Sequence, residues 1–94
     1  MRKLVWGNSF RRELKRLIHD HPHLSNKVFS VLEKLLVNPY NPSLKTHKLS
    51  GKLEGLWSCW VEYDCRIVFT FSNNPTTNED LIVLIDIGKH EDVY

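Results

Sequence analysis

Trp57-Ser58-Cys59-Trp60-Val61-Glu62-Tyr63-Asp64-Cys65-Arg66-Ile67-Val68-Phe69-Thr70-Phe71 is the stretch that decides the fold. Trp57, Cys59 and Val61 alternate with Ser58, Trp60 and Glu62. After a short polar break, Ile67, Phe69 and Phe71 alternate with Arg66, Val68 and Thr70. A period of two puts successive side chains on opposite faces of a strand, so both runs have one apolar face. Cross-strand neighbours share a face. Setting Val61 against Ile67 and Cys59 against Phe69 aligns the apolar sets and leaves a three-residue loop, Tyr63-Asp64-Cys65. A two-residue loop setting Val61 against Arg66 is disfavoured. The other face, with Ser58, Trp60, Glu62, Arg66 and Thr70, is expected to form a shallow concave surface.

The flanking segments complete an α+β pattern. Downstream, Ser72 to Asn78 is a polar turn containing Pro75, and Leu81 to Ile87 is a nearly continuous apolar strand of the kind found inside a sheet. Upstream, Leu44 to Leu49 is expected as a strand, followed by a turn from Ser50-Gly51 to Gly55. Residues 2–6 form a short first strand. Asn8 or Ser9 can then cap a helix carrying Phe10, Leu14, Leu17 and Ile18 at helical spacing. His19-Asp20-His21-Pro22-His23 breaks that helix. A second begins between Pro22 and Ser25, aligns Leu24, Val28, Val31, Leu32 and Leu35, and ends at Asn38-Pro39-Tyr40-Asn41-Pro42. The expected fold is one domain over residues 1–94: an N-terminal strand, then an αα-hairpin packed on one face of a four- to five-stranded, mostly antiparallel sheet. Leu14, Leu17, Val28, Leu32, Val61, Ile67, Phe69 and Val83 are expected in the core.

Ninety-four residues, 41% hydrophobic and 26% charged, suit a small globular protein. The longest apolar run near the start, Leu4-Val5-Trp6, is too short for a signal sequence or membrane span, so a cytoplasmic location without membrane contact is expected. Cys59 and Cys65 lack partners at zinc spacing and are expected to be reduced. Charge is segregated. Residues 1–52 carry eleven Lys/Arg against three Asp/Glu, a balance of +8, and residues 53–94 carry two against eight, a balance of −6, for the net +2. A basic half attracts polyanions, although Arg11, Arg12, Lys15 and Arg16 on one helix also suit a solvated face.

His19, His21 and His23 cluster at a helix break, where solvation is the simpler reading than metal binding, and no metal or cofactor is expected. His47, surrounded by Lys45, Lys48 and Lys52, and His90, after Gly88-Lys89, each lie at an edge of the expected sheet. Cleaving RNA without a metal needs a base for the 2′-OH proton, an acid for the departing 5′ oxygen, and cations for the phosphate charge. Histidine suits both proton roles and Lys or Arg the third.

Three stretches carry a family resemblance: Lys45-Thr46-His47-Lys48-Leu49-Ser50-Gly51, Gly55-Leu56-Trp57, and Tyr63-Asp64-Cys65-Arg66-Ile67-Val68-Phe69. With the ending Asp86-Ile87-Gly88-Lys89-His90 through Val93-Tyr94, the chain resembles toxins of the RelE/ParE superfamily over its whole length, in the YafQ-like branch. The resemblance implies a RelE-like, microbial-RNase-like fold in a type II toxin–antitoxin toxin. It also implies a ribosome-dependent endoribonuclease, with the 70S ribosome and mRNA as targets and a cognate antitoxin as partner. It further implies that His47, Asp64, His90 and Tyr94 are catalytic and that Arg66 and Lys45 bind phosphate; from the basic half, Lys48 and Lys52 are expected with Lys45 to contact ribosomal or messenger phosphates. Trp60 stands where the branch usually has histidine, and Cys65 where it has an aromatic. Trp60 then either stacks on an RNA base or packs against the antitoxin or a neighbour. The alternative within the superfamily is a ParE-like inhibitor of DNA gyrase without nuclease activity.

Overall fold

The computed structural model describes residues 2–89. In chain order the elements are β1 (Arg2–Trp6), α1 (Asn8–Asp20), α2 (Ser25–Val37), β2 (His47–Lys48), β3 (Trp57–Glu62), β4 (Cys65–Asn73) and β5 (Asp80–Lys89). The five strands form one sheet in the order β1-β5-β4-β3-β2. β1 runs parallel to β5, and every other pairing is antiparallel. The helical hairpin covers one face. Phe10, Leu14 and Leu17 of α1 and Val28, Val31, Leu32 and Leu35 of α2 join Cys59, Cys65, Ile67, Phe69, Ile82, Leu84 and Ile87 in a single core.

α1 starts without the side-chain cap expected from Asn8 or Ser9. Gly7 is the capping residue, and among the described residues no side chain caps the helix. The chain turns from β1 into the helix while still on the ladder: the Gly7 N–H donates to the Leu84 carbonyl at 3.1 Å. A Cβ at position 7 would lie 2.5 Å from that oxygen, so only glycine permits the approach.

β2 is far shorter than the strand expected from Leu44 to Leu49. Pro42–Leu44 forms a single 3-10 turn in which the Asn41 side chain accepts the Ser43 N–H. Lys45 ends that turn in the left-handed region, at φ 50° and ψ 41°. A left-handed residue cannot continue a strand, so only His47 and Lys48 are left to pair with β3.

The β3–β4 hairpin corrects the expected register. The turn is the two-residue Tyr63–Asp64, with Glu62 opposite Cys65, Trp60 opposite Arg66 and Cys59 opposite Ile67. A bulge at Val61 reconciles the short turn with the alignment of the apolar faces. The three-residue loop, and the pairings of Val61 with Ile67 and Cys59 with Phe69, are therefore not formed. The bulge leaves Val61 only half-buried. It also turns Glu62 off the open face and toward the helices, where its carboxylate meets Lys27 of α2 at 3.0 Å. Val83, expected in the core, is half-buried because it shares the open face with its partners Thr70 and Val5. The other six expected core residues are buried.

Candidate functional site

On the face away from the helices, the registers bring together His47 and Ser58, then Trp60 and Arg66 one repeat further along. Ser58, Arg66 and Val68 are buried at its floor, while His47 and Lys45 are exposed. The Thr70 hydroxyl donates to the Gly55 carbonyl at 3.0 Å and ties the loop before β3 against it.

His47 is exposed, and its Nδ1 lies 3.0 Å from the Lys45 carbonyl. A carbonyl oxygen only accepts, so Nδ1 carries the hydrogen and the neutral ring keeps its lone pair on Nε2. The left-handed backbone of Lys45 accompanies this arrangement.

Two cations lie over the Trp60 ring. The Arg66 guanidinium sits over its ring at 4.3 Å from the centroid and the Lys45 ammonium at 5.1 Å. The Tyr63 ring meets it edge-on at 5.9 Å. Arg66 is 7% exposed, and its Nη1 donates to the carbonyls of Glu62, at 2.9 Å, and Tyr63. One nitrogen thus clamps the hairpin turn, while Nε and Nη2 make no hydrogen bond among the described residues.

The remaining expected site residues lie apart from this group. Lys48 falls on the helix side of the sheet, its ammonium 5.5 Å from the Trp57 ring, which packs against Tyr40 and Phe71. Lys52 is exposed in the 3-10 turn Gly51–Leu53. Asp64 is at the hairpin tip, its carboxylate 3.4 Å from the Lys89 ammonium, which also lies 3.9 Å from Glu62. Desolvation alone would raise the Asp64 pKa, but the hydrogen bond and charge of Lys89 hold it below the ordinary aspartate value. His47 and Asp64 stand at opposite ends of β3: Ser58 to Glu62 spans about 13 Å on a strand rising ~3.3 Å per residue. His90 and Tyr94 lie outside the described residues. Among the described residues, no three His, Cys, Asp or Glu side chains converge to hold a metal.

Two further features escaped the sequence reading. An open groove of about 880 Å³ runs along α1, lined by Trp6, Leu14 and Ile18 with Arg11, Arg12 and Lys15. A small polar pocket joins Glu13, Arg16, Asp20 and His21 to Asp86. Burial there pushes the Asp86 carboxyl above its usual range. The basic run in α1 signals the groove; nothing local in the sequence places Asp86 beside that helix.

The chain resembles an Agrobacterium tumefaciens YoeB/ParE toxin with 22% identity and a TM-score of 0.75, over 94% of this chain and 98% of that one. It resembles E. coli YafQ with 21% identity and a TM-score of 0.77, over 100% of this chain and 99% of that one. YafQ in the E. coli DinJ-YafQ toxin-antitoxin complex gives 19% identity and a TM-score of 0.78, over 99% of this chain and 97% of that one. No curated protein sequence matches. The family described as the bacterial toxin of type II toxin-antitoxin system, YafQ, matches residues 2–94. With the five-stranded sheet and helical hairpin in place, the chain belongs to the YafQ family of type II toxin–antitoxin toxins.

Proposed function

We propose that this toxin is an endoribonuclease that cleaves mRNA on the ribosome by histidine acid–base chemistry. The observation that carries this reading is His47: an exposed imidazole whose Nδ1–H is bound to the Lys45 carbonyl, with Nε2 left to exchange a proton. On the same face Lys45, two residues before it, and Arg66, on β4, hold their charges over Trp60, two cations for the phosphate. In the reaction, one histidine removes the 2′-OH proton, the 2′ oxygen attacks phosphorus, and the 5′ oxygen leaves as it is protonated. The products are a 2′,3′-cyclic phosphate and a 5′-OH. His90, next in sequence to Lys89, is the second proton-transfer group, with Tyr94 beside it in the catalytic set. Asp64 acts through its ion pair with Lys89, and Lys48 and Lys52 add charge for the ribosome. The relative seen in the DinJ-YafQ complex supports a cognate antitoxin as partner. The basic first half of this chain favours an acidic one. Ribosomal targets place the protein in the cytoplasm, and no helix among the described residues is long and apolar enough to cross a membrane.

Primer extension on translated mRNA tests the reading. His47→Ala and His90→Ala should each slow cleavage by roughly a hundredfold to ten-thousandfold. The double variant should be little worse than the poorer single one, because residues acting as a unit are non-additive. If both singles cleave like wild type, or if the protein inhibits gyrase supercoiling and cuts no message, the ParE-like alternative replaces this reading.

A further inference from the structure

We propose that Trp60 is a brace for two cations, and that the Arg66–Trp60–Lys45 stack grips consecutive phosphodiesters of single-stranded RNA without a base stacking on the indole. This rests on the open face being the RNA-binding surface, and it assigns Trp60 a role that an aromatic in RNA recognition does not ordinarily have.

β3 lies between β2 and β4. Arg66 reaches Trp60 from β4, where it is the paired residue, and Lys45 reaches it from the segment leading into β2. The two cations therefore approach the indole from the two sides of β3. They can be no farther apart than the sum of their distances to the ring centroid, which suits neighbouring phosphates on one strand. A base stacking on the indole would compete with these cations for the ring.

Arg66 is held in one orientation. Its Nη1 is committed to the Glu62 and Tyr63 carbonyls, and its plane lies on the indole. The guanidinium is thereby fixed in direction, with Nε and Nη2 uncommitted among the described residues. A planar fork held in this way suits a phosphate's paired oxygens. Lys45, exposed and left-handed in backbone, holds its ammonium 5.1 Å from the Trp60 ring centroid.

The bulge at Val61 clears the face of negative charge. Unbroken alternation would leave the Glu62 carboxylate on the face of Trp60 and Arg66, where it would repel phosphate. The bulge removes it to Lys27 on the helix side.

The test measures binding of the full chain to two probes across a salt series: a short oligouridylate, and the same sugar–phosphate strand without bases. Both strands should bind wild type with affinities within a few-fold. Trp60→Leu should flatten the slope of log K against log salt by about 0.7 to 1.4, since each single-strand phosphate contact contributes about 0.7. Trp60→Phe, which keeps a ring for the cations, should recover most of that slope. Lys45→Ala should cost affinity in wild type and little in the Trp60→Leu background, because the lysine acts through the indole. The proposal is overturned if the abasic strand loses most of the affinity, if Trp60→Leu and Trp60→Phe both leave the slope unchanged, or if the Lys45 and Trp60 effects add. Failure of both probes to bind wild type removes the phosphate-binding face itself. Cleavage of translated mRNA reports on the nuclease reading separately, so phosphate gripping without cleavage would leave the brace standing and the catalytic assignment refuted.

Discussion

Removing the Arg66 guanidinium should unsettle the hairpin before it affects any reaction. Arg66→Ala deletes two charge-assisted hydrogen bonds to turn carbonyls and one cation–π contact. Hydrogen bonds to charged groups contribute about 1.5–3 kcal/mol each, and the lower figure applies because Tyr63, at the turn, is 80% exposed and its carbonyl can be rehydrated. The stack on Trp60 adds ~1 kcal/mol for a guanidinium as shielded as this one. The expected loss is about 4 kcal/mol, a large share of the stability of a domain this size. At ~4–8 °C per kcal/mol, the melting temperature should fall by well over 10 °C. Arg66→Lys keeps the charge but not the fork, and should fall between. Urea unfolding followed by tryptophan fluorescence measures this, with Lys52→Ala as an exposed control expected within ~0.5 kcal/mol of wild type. A loss under ~1 kcal/mol for Arg66→Ala would refute the clamp. Should the loss be as large as expected, inactivity of an Arg66 variant would not by itself demonstrate a role in phosphate binding.

Three other outcomes can be checked on the purified chain. Gly7→Ala should destabilise strongly in thermal melts, because the added Cβ meets a backbone carbonyl that cannot move without opening the β1–β5 ladder; an unchanged melting temperature would contradict the close approach. Burial pushes Cys59 up to about 12 and Cys65 up to about 11, so both thiols should resist a thiol reagent at neutral pH until denaturant is added. Asp64 is lowered in the folded state, so its ion pair contributes stability above the ordinary aspartate pKa that is lost as pH falls through the lowered value. Lys89→Met should move the Asp64 titration, followed by NMR, back up toward that ordinary value, and a titration that stays low would show that another group holds it down.

The helices and long strands were legible because each carries its own periodicity. Phe10, Leu14 and Leu17 mark the buried face of α1 wherever they are read, and Ile67 and Phe69 do the same for β4. What misled was local geometry decided by a tertiary partner. The parity rule held at the hairpin, but the protein satisfied it with a bulge instead of a longer loop. That choice depends on Arg66 reaching back to the turn and on Lys27 waiting for Glu62. Leu44 looked like a strand residue because it is apolar. It is buried, at 1% exposure, from a 3-10 turn that Pro42 begins and Lys45 ends. At the site, residue types pointed to His47, Lys45, Trp60 and Arg66, and the structure brings these four onto one face. The same types on neighbouring positions suggested Lys48 as well, although consecutive residues of a strand face opposite ways, and Lys48 pairs on the Trp57 side.

The parallel pairing of β1 with β5 has a consequence for the order in which the chain assembles. Arg2 finds its partner in Asp80, nearly the whole described chain away, whereas β3 and β4 meet across two residues. A chain emerging from its own ribosome can therefore close the Trp60–Arg66 hairpin early, from local contacts alone. β1 and the face of α1 that packs on β5 must wait, because β5 is the strand that joins them to the rest of the sheet. Until residues 80–89 are made, the hairpin carrying Arg66 and Trp60 has no strand on its β4 side. Messages truncated before that point should yield fragments with neither a closed core nor an intact binding face. Completion of the sheet thus waits for β5, which joins β1 to the hairpin that carries Trp60 and Arg66.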